Sequence, residues 1–147
     1  MNWFSTIKST DIIEVLRSNA RSSHAEISRI VGLSAPSVAE RIQKMEESGL
    51  INGYCTQLNL SKFDYHIQAN IALKIDSHGF KVFVSKLNEF PEIFDCMKVT
   101  GEYCVFLKAA VKNNSQLEDL IDRLTIYGHP NTSIILSDHT DKTFFKP

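Results

Sequence analysis

A chain of 147 residues, 43% of them hydrophobic and 22% charged, can fold as one domain or two small ones without metal or disulfide staples. Its net charge of -1 excludes any bulk-charge argument for a polyanionic partner. Cys55, Cys96 and Cys104 are odd in number and widely spaced, which excludes a C-x-x-C zinc site and a disulfide framework and leaves free thiols in a reducing compartment.

Ser9-Thr10-Asp11 reads as a helix start, with Ile12, Ile13 and Leu16 following at helical spacing. A second short helix follows Ser23, with Ala25, Ile27, Ile30 and Val31 turned inward and Gly32 as its stop. A third begins at Ser34 and places Val38, Ile42 and Met45 on one face before Gly49 ends it. Leu50 to Leu60 is expected to be a linking strand, with a turn near Asn59-Leu60-Ser61.

The second half alternates strands and helices. Ile67, Ala69, Ile71, Leu73 and Ile75 keep a period of two, which predicts a strand with one buried face. A helix over 77–90, a strand over 93–100, a turn at Gly101-Glu102 and a strand over 103–111 follow. Ser115-x-x-Glu118 has capping-box form and predicts a helix ending before Gly128-His129-Pro130, and a last strand covers 132–138. The order β-α-β-β-α-β predicts a ferredoxin-like sheet with both helices on one face. Because Tyr103 to Ala110 looks apolar on both faces, a partner subunit is expected to cover the other, giving at least a dimer.

His24-Ala25-Glu26-Ile27-Ser28-Arg29-Ile30-Val31-Gly32-Leu33-Ser34 is the stretch that points to function. A helix-turn-helix needs small residues where its helices cross, for which Ala25 and Ser28 serve, and glycine at the tight turn, which Gly32 supplies. Ser34 caps the next helix, and Ala35-Pro36 suit its first turn. This register turns Ser37, Glu40, Arg41 and Lys44 away from the core stripe and toward a major groove, with Ser23 and Ser34 placed to donate to phosphates. Ser23, His24, Ser34, Ala35, Pro36, Ser37, Glu40, Arg41 and Lys44 are therefore the candidate DNA-binding residues. Arg17, Arg21, Arg29 and Arg41 hold four of the five arginines, yet Asp11, Glu14, Glu26, Glu40, Glu46 and Glu47 cancel their charge. From these residues alone, a three-helix bundle with a solvated face stands beside the DNA-binding reading.

Asp11-Ile12-Ile13 with Leu16 and Arg21, then Val31-Gly32-Leu33-Ser34, Val38, Glu40-Arg41-Ile42 and Met45-Glu46, carry a resemblance. It continues through Gly49-Leu50-Ile51-Asn52-Gly53-Tyr54 and Val99-Thr100-Gly101-Glu102-Tyr103. Over nearly its full length the chain resembles the Lrp/AsnC family of feast/famine transcription regulators. The resemblance implies an α+β fold, a winged-type helix-turn-helix joined to a βαββαβ α/β-sandwich. It also implies homo-oligomers (dimers, often octamers), double-stranded DNA as partner, and an amino-acid effector near Thr100, Gly101, Glu102, Tyr103 and Cys104. The family usually has an acid where Cys104 stands and often aspartate at Glu102, a departure that bears on the effector.

The expected organisation is 1–49 for DNA binding, 50–61 as hinge and 62–147 for oligomerisation. No stretch nears the roughly 20 apolar residues of a membrane helix, and Met1–Phe4 lacks a secretory opening. A cytoplasmic protein with no membrane partner, no metal and no cofactor is expected. An architectural DNA-wrapping protein would use the same residues. A haem-precursor decarboxylase shares the two-domain plan, but the five histidines show no metal spacing, and Asp138-His139 fits a polar tail as well as an acid/base pair.

Overall fold

The computed structural model describes residues 7–138, so His139 lies outside the described residues. The chain divides into two compact units between Gln57 and Leu58. The first holds helices α1 (Ile7–Ser18), α2 (His24–Val31) and α3 (Ala35–Glu47). Ile12, Leu16, Ile27, Val31, Val38, Ile42 and Met45 form its core, with Ile13, Val15, Leu33 and Ile51 packed at the margin.

The turn between α2 and α3 sets their crossing. Gly32 sits in the left-handed region at φ 67°, ψ 39°, and its N–H returns to the Ser28 carbonyl. Ser28 Oγ donates to the Leu33 carbonyl at 2.5 Å, and Lys8 Nζ donates to the Val31 carbonyl, placing a cation at the negative end of α2. A Cβ at Gly32 has room, its nearest neighbour being Lys8 Nζ at 3.8 Å, so strain alone decides the cost. Gly32→Ala is expected to destabilise the first unit by about 1–2 kcal/mol in a denaturant titration.

Several elements differ from expectation. Ser9 is not a cap: it lies within α1, fully buried, and accepts a hydrogen bond from Arg41. Ala25 and Ile30 are exposed, Ile30 at 67%, since a helix of eight residues has only one face to bury. The linking strand over Leu50–Leu60 is replaced by an irregular segment and a 3₁₀ turn at Leu60–Phe63. Its apolar residues never had a period of two, and no neighbouring strand offers it a ladder among the described residues. Leu50–Gln57 goes with the first unit, where Ile51 packs at the core margin and its N–H donates to the Met45 carbonyl of α3 at 3.0 Å.

The second unit is β1 (Ile67–Lys74), α4 (Ser77–Ser85), β2 (Ile93–Lys98), β3 (Val105–Val111), α5 (Asn114–Thr125) and β4 (His129–Ile134). All pairings are antiparallel in the order β2-β3-β1-β4, the ferredoxin-like arrangement. Ala69, Ile71 and Leu73 of β1 and Val105, Leu107, Ala109 and Val111 of β3 share one buried face with Phe83, Leu117, Leu120 and Leu124 from the helices. Both helices therefore cover the same side. Phe83 meets Phe90 at a tilt and Tyr127 edge-on, with ring centroids 5.7 and 5.4 Å away.

The capping box expected at Ser115 is displaced: α5 is capped by Asn113, whose side chain accepts from Gln116 N–H, while Gln116 accepts from Lys112 N–H. The last strand starts at His129, not 132, because Pro130 is tolerated on β4, an edge strand. Gly128 permits the close return before it; a Cβ there would stand 2.3 Å from the Lys74 carbonyl oxygen. Gly128→Ala is expected to destabilise the second unit by about 1–3 kcal/mol, read by thermal unfolding. The open face of the sheet is mixed rather than wholly apolar: Phe106 and Met97 are exposed there beside an Asp95–Lys108 ion pair at 3.8 Å.

Candidate nucleic-acid interface

α3 is held to its own unit by Val38, Ile42 and Met45, all buried. At 100° per residue the opposite ridge is Pro36, Glu40, Gln43 and Glu47, all exposed, with Lys44 beside it. Ser34 starts the helix as its N-cap, accepting from Ser37 N–H at 3.3 Å, and Pro36 occupies the first turn. No acid lies in that first turn, so the partial positive charge at this end is uncompensated.

The N-terminus of α2 differs. Ser23 and Glu26 form a capping box in which Ser23 N–H and Oγ–H both donate to Glu26 Oε2, at 2.7 and 2.8 Å. Those bonds, the backbone one first, hold the Glu26 carboxyl below its usual range. Ser23, expected to donate to phosphate, already spends its proton on a carboxylate that occupies the anion position. His24, next along, is exposed.

Of the side chains expected on the open side, Glu40 and Lys44 are there, joined by an ion pair of 2.6 Å. The Lys44 ammonium, through its hydrogen bond and then its charge, keeps the Glu40 carboxyl below the ordinary range, with Arg41 adding a little. Ser37 and Ala35 are half-buried on the flanks. Arg41 is the correction. It is half-buried on the flank facing α1, and its Nη1 donates to Ser9 Oγ at 3.1 Å. One step of 100° from Ile42 brings it toward the core side, a displacement that the sequence register did not weigh.

Gln43 is the residue that sequence reasoning missed. It is exposed on the ridge, and its Nε2 donates to Glu47 Oε1 at 2.7 Å. The signal was present, since residue 43 lies three positions after Glu40 and stays on the same side of the helix.

Tyr54, from the segment after α3, donates its hydroxyl to Glu46 Oε1 at 2.8 Å. Partial burial, then that bond and the Glu46 charge, push its pKa up to about 12. A raised pKa means that the bond is complete below about pH 10, the unfolded value, and is lost as pH rises through about 12. The phenolate absorbance missing from Tyr54→Phe is therefore expected to titrate near pH 12, and a missing step near 10 would contradict the contact.

In the second unit, Thr100, Gly101 and Glu102 are exposed at the β2–β3 turn, while Tyr103 and Cys104 are half-buried. Glu102 Oε1 pairs with Lys74 Nζ at 2.8 Å, which lowers the carboxyl and raises the amine. The Cys104 thiol donates to the Ile75 carbonyl at 2.9 Å, so it braces the end of β1. The described residues contain no group of three or more metal-ligating side chains and no helix long and apolar enough to cross a membrane.

Residues 68–143 match the model of the Lrp/AsnC ligand binding domain, and residues 7–52 that of a winged helix-turn-helix DNA-binding domain. Where a wing would stand, this chain has the irregular Leu50–Gln57 segment. The HTH-type transcriptional regulator FL11 of Pyrococcus furiosus is 33% identical over 135 residues, covering 90% of this chain and 89% of that one. The uncharacterized HTH-type transcriptional regulator YezC of Bacillus subtilis is 32% identical over 126 residues, covering 86% and 89%. Among solved structures, B. subtilis LrpC superposes with a TM-score of 0.86 at 27% identity, over 92% of this chain and 96% of that one. The transcriptional regulator NMB0573 of Neisseria meningitidis, solved as an L-Met complex, gives 0.86 at 23% identity, over 95% of each chain, a likeness of fold. With both units matched in order and a third of the residues shared along nine-tenths of the chain, this protein belongs to the Lrp/AsnC family.

Proposed function

We propose that the protein is a sequence-specific, DNA-binding transcription regulator of the Lrp/AsnC type. The observation that carries this is the open ridge of α3, Pro36 to Glu47, standing clear of its own unit beside an N-terminus with no acid of its own. A major groove admits one helix, and phosphate oxygens fit the Ser34 end. The relatives' names, HTH-type transcriptional regulators, support the same reading.

Charge favours regulation over nonspecific wrapping. Residues 7–57 carry six bases (Lys8, Arg17, Arg21, Arg29, Arg41, Lys44) and six acids (Asp11, Glu14, Glu26, Glu40, Glu46, Glu47). A neutral unit with two of its cations committed to Ser9 and Glu40 draws little affinity from the backbone alone. Subunits pair through the open sheet face, where Phe106 and Met97 stand exposed. An amino-acid effector would meet the Thr100–Cys104 turn; support comes from the ligand-binding match and from the methionine bound to the Neisseria protein. Lys74 beside Glu102 supplies a cation for its carboxylate.

The test is a binding titration with duplexes from the region upstream of the protein's own gene and with scrambled duplexes at one salt concentration, repeated with a panel of amino acids. Preference for the upstream duplex supports the regulator. Equal binding to both would favour the architectural alternative, and no binding would remove DNA from the function. Sedimentation of the full chain as a monomer would overturn the pairing.

A further inference from the structure

The ridge of α3 also states which bases it suits, an inference that rests on the regulator reading and deepens it. Its two central polar groups are each braced from one turn further on: Lys44 Nζ holds Glu40 Oε1 at 2.6 Å, and Gln43 Nε2 holds Glu47 Oε1 at 2.7 Å. Each brace uses part of its group. A carboxylate has a second oxygen, and a carboxamide has a second N–H and its carbonyl oxygen. Both groups are thus oriented before DNA arrives, with acceptor capacity at position 40 and one donor plus one acceptor at position 43.

We propose that Glu40 and Gln43 are the specificity-determining pair, Glu40 accepting from the N4 amine of a cytosine and Gln43 engaging an adenine through N6 and N7. The pattern follows from what major-groove edges offer: only cytosine and adenine present an amine there, and only adenine places an acceptor beside it on the same base. Residues three apart on a helix are separated by about 4.5 Å along its axis, against about 3.4 Å between successive base pairs. The cytosine and the adenine therefore lie one or two steps apart. Glu40 also works by exclusion, because guanine and thymine edges turn lone pairs toward its carboxylate. Lys44 offsets that charge near the phosphates, so the gate discriminates among bases without expelling DNA. Arg41 takes no part, being turned to Ser9.

The test is selection of bound sequences from a randomised duplex pool by the full-length protein, the Glu40→Gln variant and the Gln43→Glu variant. Both side chains are exposed, so both variants are expected to fold, Glu40→Gln near the parent's thermal midpoint and Gln43→Glu slightly below it, since its carboxylate faces Glu47 one turn on. The parent is expected to enrich a cytosine and an adenine one or two steps apart. Glu40→Gln is expected to change the first preference from cytosine to adenine, with about tenfold discrimination at that position, and to bind scrambled duplex several-fold more tightly. Gln43→Glu is expected to make the reverse change at the second position. Identical sequences enriched by all three proteins overturn the assignment and leave the regulator reading standing. A parent that enriches nothing sinks the regulator reading and this one with it.

Discussion

Ser34→Asp is expected to leave the first unit as stable as the parent while weakening duplex binding by about tenfold or more. Aspartate is as good an N-cap as serine, so the bond from Ser37 N–H is kept. A negative charge at the start of α3, where no acid stands now, also favours the helix dipole. The same charge occupies the position offered to a phosphate. Two unit charges about 4 Å apart near a protein surface repel by about 4 kcal/mol before salt screening, and screening reduces this toward the tenfold loss expected. Ser34→Ala is the control: it removes the cap, costs about 1 kcal/mol of stability, and adds no charge. Anisotropy titrations beside thermal melts separate the two, and parent-like binding by Ser34→Asp would place the DNA elsewhere.

Phe83→Ala is expected to have the largest effect on stability, about 3–5 kcal/mol. Phe83 is fully buried where α4 meets the sheet, and the rings of Phe90 and Tyr127 close around it. Total stability of a small domain is about 5–15 kcal/mol, so this change brings the second unit near its limit. Because the two units have separate cores, the loss is expected to stay in one of them. Hydrogen exchange should show β1 and β3 amides losing protection while α1 and α3 keep theirs. Even loss of protection along the whole chain would contradict two separate cores. Arg41→Ala belongs to the other unit: it leaves the buried Ser9 hydroxyl without that donor, at about 1–3 kcal/mol. Any loss of DNA affinity should then be equal for upstream and scrambled duplexes.

What the sequence made legible were features with a local cause. The period of two in Ile67–Ile75 follows from burial of one strand face, and Gly32 from the need for a positive φ where two helices cross. The α3 core stripe shares that character, because 3.6-residue spacing fixes which residues stand opposite it. The features that escaped depend on partners far along the chain. Ser9 reads as a cap until Arg41, thirty-two positions later, reaches it in the fold. Ser23 offers a phosphate donor until Glu26 is seen to take the hydrogen, and a strand over Leu50–Leu60 has no meaning without a neighbour to pair with. The Asn113 cap was hidden because Ser115-x-x-Glu118 fits the same local rule equally well. In the site, Glu40 and Lys44 stand where the register put them; Arg41 does not, and Gln43 carries no charge, so only its spacing from Glu40, and not the charge pattern, marks it as part of the ridge.

Docking of the α3 ridge into a major groove is tested most directly by chemical interference. A duplex carrying sparse N7-methylguanine places methyl groups in the major groove, and N3-methyladenine places them in the minor. The bound fraction is expected to be depleted of N7-methylguanine at a cluster of positions, with N3-methyladenine tolerated at those same base steps. Binding blocked by the minor-groove lesion and indifferent to the major-groove one would contradict the account.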